Sequence, residues 1–127
     1  MHSEVVWTAL QWPSVEHVVI SDAATSDESA GGWTADGALV GVIDGRPVRL
    51  AYRLGVAADG AVRTVDITDT AGGGSLALRG DGHGSWRDDA GAPVRALDGC
   101  VDVDISVTPL TNTLPIRRLR LPVGESA

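Results

Sequence analysis

The sequence predicts a single antiparallel all-β domain, and three observations carry that reading. Sixteen glycines and six prolines fall between short β-branched runs, the spacing of strands joined by tight turns. Residues 48–56 alternate, with Val48, Leu50, Tyr52, Leu54 and Val56 on one side and Arg49 and Arg53 on the other, the period of a strand with one face buried. The length of 127 residues is the common size of a domain with one core, and no linker divides the chain, so residues 1–127 are expected to be one domain.

The elements follow in order. Residues 5–10 and 15–21 read as the first two strands, broken at Trp12-Pro13 because proline cannot donate to a ladder. Residues 22–32 are small and polar, a loop or one marginal helical turn. From Ala38 the signals sharpen. A strand over 38–44 meets the turn Asp44-Gly45-Arg46-Pro47, the strand 48–56 follows, and Ala58-Asp59-Gly60 leads into a strand over 61–69. Asp-Gly between alternating runs is the strongest short-range hairpin cue. Gly72-Gly73-Gly74 separates a strand over 75–79, and Gly80-Asp81-Gly82 separates that from 83–87. After Asp89-Ala90-Gly91 a last strand is expected over 100–107, ahead of a proline-punctuated tail. No repeat or heptad occurs.

Composition narrows the function. Phe is absent and Tyr occurs once, so the large aromatic volume rests on Trp7, Trp12, Trp33 and Trp86, within a core of Val, Leu, Ile and Ala. Ten arginines and no lysine stand against seventeen acids, a formal charge of −7. That balance repels phosphate backbones and argues against a nucleic-acid partner. The lone Cys100 cannot form an internal disulfide, no pair of Cys and His has zinc-ligand spacing, and the N-terminal segment carries no basic region ahead of an apolar core. No apolar run is long enough for a transmembrane helix. A cytoplasmic location is the expectation.

Several residues invite a chemical reading. In the run LDGCVDVDISV, residues 97–107, a two-residue period puts Asp98, Cys100, Asp102 and Asp104 on one face and Val101, Val103 and Ile105 on the other. Three carboxylates in a row suit a hard cation or a proton held at raised pKa. Positions two apart on a strand are separated by about 6.5–7 Å, too far for one ion without loop ligands, so a solvated face is the expected reading and no metal is assigned. Acidic neighbours raise a thiol's pKa and blunt its nucleophilicity, leaving Cys100 structural. His2, His17 and His83 are scattered and no nucleophile motif occurs, so no catalytic residue is assigned. The glycine clusters lack the Gly-Lys-Ser/Thr of a phosphate loop and read as turns. Trp33 and Trp86 could stack on a sugar or line a lipid cavity, although core placement is the commoner fate of tryptophan. In the tail, Arg117 and Arg118 follow the rigid Leu114-Pro115 bend. One of them is expected to pair with an acid of 98–104 as a structural network, the alternative being that they grip an anionic or polyol headgroup.

The run DGCVDVDISVTPLTNTLPIRRLRL, residues 98–121, resembles the signature of a bacterial glycolipid-binding family, in which a G-C-x-D-V-D strand leads into T-P-x-T-N-T-L-P-I-R-R-L. Gly41-Val42, Ala51-Tyr52-Arg53-Leu54, the strand 76–78 and the Asp81-to-Trp86 turn also look like that family, so the resemblance spans the chain. It implies a fold of the lipoprotein-carrier type, a strongly curved antiparallel meander wrapped as an open half-barrel around an apolar cavity. It also implies continuation beyond the I-R-R-L segment. This chain reads as short by comparison, with closing strands missing and an edge that could pair with another copy.

The expected function is therefore non-enzymatic binding of an amphipathic ligand, a glycolipid or acyl-chain lipid, in an apolar cavity on the concave face, with no cofactor. Trp33, Tyr52, Trp86, Asn112, Arg117 and Arg118 are the candidate ligand-binding residues, and Asp98, Asp102 and Asp104 the candidate structural network. Two alternatives stand beside it: a shortened family member with an interaction role only, and an enzyme using Asp102 or Asp104 with Arg117.

Overall fold

The computed structural model describes residues 2–23 and 31–105. Seven strands form one sheet in chain order: β1 (His2–Thr8), β2 (Ser14–Asp22), β3 (Trp33–Ile43), β4 (Arg46–Val56), β5 (Val62–Asp69), β6 (Ser75–Gly80) and β7 (Trp86–Asp88). Every neighbouring pair is antiparallel. The ladder runs from β1 to β7 without closing on itself, so the all-β meander is an open sheet and not a barrel. A short 3-10 turn, Arg95–Leu97, is the only helical element among the described residues.

Register assigns the faces. One cross-strand row runs Val5, Val18, Gly37, Tyr52, Ile67, Leu76, and the next runs Ser3, Ile20, Ala35, Leu54, Val65, Leu78. These rows form the inner face, where Val18, Ala35 and Leu54 have 0% exposure. Each large apolar side chain buried there contributes about 1.5–3 kcal/mol. Tyr52 and Leu54 are buried and Leu50 is half-buried, while Arg49 and Arg53 lie exposed on the outer face. Arg53 meets Asp36 at 3.5 Å and Arg79 meets Asp66 at 3.1 Å across that face. Exposed pairs of this kind stabilise by about 1 kcal/mol at most.

Local chemistry explains most boundaries. Asp44 and Gly45 both have positive φ, 51° and 76°, as a two-residue type I′ hairpin requires, so β4 starts at Arg46 and pairs from the first residue. At the far end of β4, Gly55 pairs with Thr64 but Val56 with Val62. Arg63 is the extra residue of a bulge, which sharpens local twist, and its Nε donates to the Gly80 carbonyl at 2.8 Å. In the β6–β7 connection Asp81 takes hydrogen bonds from the backbone N–H groups of His83 and Ser85, so 83–85 are turn and β7 begins only at Trp86. β3 begins five residues before the sequence signal at Ala38, because its inward positions Ala35 and Gly37 are too small to mark an alternation. β1 begins and ends earlier than expected, at His2 and Thr8.

One element differs in kind. The strand expected over 100–107 is absent over 100–105, the part that lies within the described residues. Instead Trp86 Nε1 donates to the Cys100 carbonyl at 2.8 Å, Gly99 N–H donates to the Gly84 carbonyl at 2.8 Å, and Val62 N–H approaches the Val101 carbonyl at 3.4 Å. These bonds lay the segment over the inner face and keep it off the β7 edge, where Pro93 already bridges Arg87. The alternation survives in burial only at the ends of the segment: Cys100 and Asp104 are exposed and Ile105 is buried, while Val101, Asp102 and Val103 are all half-buried. It does not survive as a ladder.

The Tyr52 ring lies flat against Gly37, the residue paired with it on β3, and a β-carbon at Gly37 would collide with the ring. Gly37→Ala should therefore destabilise by about 1–3 kcal/mol, the usual range for overpacking. Urea unfolding measures this, and a loss below about 0.5 kcal/mol would show that Tyr52 is free to step aside.

Candidate functional site

A cleft of about 510 Å³ opens between the inner face and the crossing segment. The sheet supplies Val65 and Ile67 from β5, Leu76 and Leu78 from β6, and Trp86 from β7. The segment supplies Leu97, Val103 and Ile105, with Cys100, Asp102 and Asp104 as the polar members of the wall. Leu76 is 49% exposed although it points to the face that carries the core. Side chains of strands β5 and β6 pack there because alternate residues of VRTVDITD and SLALRG turn inward. Volume and lining fall in the range of small-molecule sites, which are mostly apolar with a few placed polar groups.

Trp86 anchors one end of the cleft. Its ring lies across Gly80, where an added β-carbon would come within about 3.0 Å of the indole, and its N–H holds Cys100 in place. The turn preceding it is fixed by Asp81, whose pKa lies below the ordinary aspartate value, first because the His83 N–H bonds its carboxylate and then because the Ser85 N–H does. Two other hollows, of about 330 and 380 Å³, lie at the β5–β6 strands and at the β3–β4 hairpin. Both have more polar walls, and the first shares Ile67 and Leu76 with the cleft.

A second feature of the inner face was not read from the sequence. Glu16 on β2 is 2% exposed, and its Oε2 accepts a hydrogen bond from the Tyr52 hydroxyl, which reaches across Gly37. Parity carried the signal, because Glu16 alternates with Val18 and Ile20, but Val15 and Val19 on the other parity hid it.

The sequence-derived candidates divide three ways. Trp86 lines the cleft, and Trp33 and Tyr52 are buried in the adjoining core. Asn112, Arg117 and Arg118 lie outside the described residues, as does any pairing of those arginines with Asp98, Asp102 or Asp104. Of the three acids, Asp98 is exposed in the turn after the 3-10 element, while the half-buried Asp102 and the exposed Asp104 line the cleft. Among the described residues no group of three His, Cys, Asp or Glu side chains is placed to hold a metal ion, and no helix is long and apolar enough to cross a membrane.

The sequence matches the model of the family described as "Putative glycolipid-binding" over residues 4–127. The chain belongs to that family. A crystal structure of a DUF1089 family protein from Pseudomonas aeruginosa is similar in fold, with a TM-score of 0.73 and 34% identity, over 95% of this chain and 62% of that one. The chain thus spans less than two-thirds of that relative. Among curated proteins, none matches the sequence. The family resemblance drawn from the G-C-V-D-V-D and I-R-R-L motifs is therefore correct, and the open sheet expected of the family is present.

Tyr52→Phe strands a buried carboxylate oxygen and should cost about 1–3 kcal/mol in urea unfolding, whereas an unchanged midpoint would mean that Glu16 finds another donor. For Asp81, a depressed folded pKa means that its stabilisation is present above the unfolded value and is lost as pH falls through the folded one. The melting-temperature gap between wild type and Asp81→Asn should be constant near neutral pH and close in acid below the ordinary aspartate range. A gap independent of pH would contradict the backbone bonds assigned to it.

Proposed function

We propose that the protein is a non-enzymatic carrier or sensor of an amphipathic ligand, a glycolipid or other acyl-chain lipid, acting as one domain over residues 1–127 in the cytoplasm. The observation that carries this reading is the cleft of about 510 Å³ walled by Val65, Ile67, Leu76, Leu78, Trp86, Val103 and Ile105. An acyl chain removes apolar surface from water along such a wall, at about 25 cal/mol per Å². The half-exposed Leu76 is an apolar residue held open on an inward face, as expected where a ligand completes the packing. The family's description supports the ligand class, and an exposed, unpaired Cys100 suits a reducing compartment.

No cofactor is required. Asp102 and Asp104 stand at the cleft wall as polar groups able to orient a head, and the tail residues Asn112, Arg117 and Arg118 are proposed to contribute from the segment that follows Ile105. A second reading, self-association, rests on β1, an edge strand paired only with β2 among the described residues. Its charged Glu4 discourages edge pairing, so the lipid reading leads.

Titration with a fluorescent polyene fatty acid tests the proposal. Leu76→Asp should weaken binding by at least about tenfold, and Val40→Asp, on the outer face and 56% exposed, should leave it unchanged. Equal loss in both variants, or no saturable binding in wild type, would overturn the cleft as the site.

A further inference from the structure

Glu16 is the one charged side chain that is buried among the described residues, and only half of its carboxylate is used. Oε2 takes the Tyr52 hydroxyl, while Oε1 has no hydrogen-bond partner. Directly opposite Glu16 in the β1–β2 register stands Trp7, whose indole N–H is likewise buried and unpartnered. Trp12, in the loop joining those strands, carries a third such group. One hairpin thus brings an acceptor and two donors out of water without satisfying them, a costly arrangement that native proteins rarely keep without a partner.

Position links this niche to the cleft. Tyr52 pairs with Ile67, a cleft residue, on one side and with Gly37 on the other, so the niche and the cleft share the inner face with Tyr52 between them. β1 is the natural door. It is an edge strand on which only Trp7, packed against the core, is better than exposed, so parting β1 from β2 disturbs one packed side chain.

We infer that Glu16, Trp7 and Trp12 form a headgroup subsite for an uncharged, hydroxyl-rich group such as a sugar, a reading that rests on the cleft holding the acyl chain. A hydroxyl donates to Glu16 Oε1 and accepts from the N–H of Trp7 opposite it, and a further hydroxyl of a polyol accepts from the Trp12 N–H. A phosphate or carboxylate is repelled by Glu16. An ammonium group satisfies the carboxylate but offers the indoles no acceptor. Indole faces also suit the apolar face of a sugar ring.

The test compares octyl glucoside, 1-octanol and free glucose, each below any micelle concentration, by calorimetry on the full chain. Wild type should bind the glucoside at least about tenfold more tightly than octanol, because a site built around hydrogen bonds rejects the analogue that lacks them. Glu16→Gln and the milder Trp7→Phe, which keeps the ring and removes the donor, should each bring the glucoside down to octanol's affinity without changing octanol's. Circular dichroism checks that both variants fold, and Trp7→Phe decides the matter if Glu16→Gln does not. Equal affinity of glucoside and octanol in wild type would overturn the subsite while leaving the cleft intact. Selectivity that survives in a folded variant would also overturn it, as would free glucose binding as tightly as the glucoside. Failure of both alkyl probes to bind would remove the cleft reading and this one with it.

Discussion

The hydrogen bond from the Trp86 indole to the Cys100 carbonyl, 2.8 Å long, decides where the chain goes after the sheet ends. β7 is only three residues, too short to build a further ladder, and the chain that leaves it must cover the inner face or leave that face wet. With Trp86 flat on Gly80 and Gly99 bonded to Gly84, the segment turns back over β5 and β6. Ile105 completes the core, and Val103 and Leu97 pack against it. The cleft is the space that this crossing leaves between itself and the sheet. A sheet with no helical layer among its described residues must be covered by its own twist and its own chain, and the crossing segment is the second of these.

A second pin works at the opposite side of the face. Tyr52 spends its ring on Gly37 and its hydroxyl on Glu16, so that one side chain ties β4 to β3 and β2. A tyrosine does this where phenylalanine could not, and the only tyrosine of a chain without phenylalanine occupies this position. The inner face therefore has an apolar half at β5–β7 and a half at β1–β3 that contains a carboxylate and indole donors. Such a division fits a ligand that is itself divided into chain and head.

Much of this was legible in the sequence, and the failures have physical causes. Asp44-Gly45 gave the hairpin outright because few residues accept positive φ, and the Val48-to-Val56 alternation gave the faces of β4 because large apolar and charged residues are easy to tell apart. The start of β3 was hidden because Ala35 and Gly37 face inward with almost no side chain. The segment 100–105 made no ladder and kept its alternation of burial only at its ends, with Val101, Asp102 and Val103 all half-buried, since period two in a sequence does not report how a crossing segment is covered. Glu16 was missed for a related reason: an acid on the inward parity looks like a solvated residue until the partner, thirty-six positions away in sequence, is brought to it. The candidates Trp33, Tyr52 and Trp86 all lie on or beside the apolar face, whereas the acids of 98–104 were assigned to a strand that the structure does not contain.

The central claim is that an amphipathic ligand lies on the inner face between β5–β7 and the crossing segment. Paramagnetic broadening of methyl resonances by a stearate that carries a nitroxide along its chain tests it most directly. The account predicts strong broadening of Ile67, Leu76 and Val103, and sharp signals from Val15, Val40 and Val42, which are exposed on the other side of the sheet. Broadening centred on those three valines, with Leu76 unaffected, would contradict it.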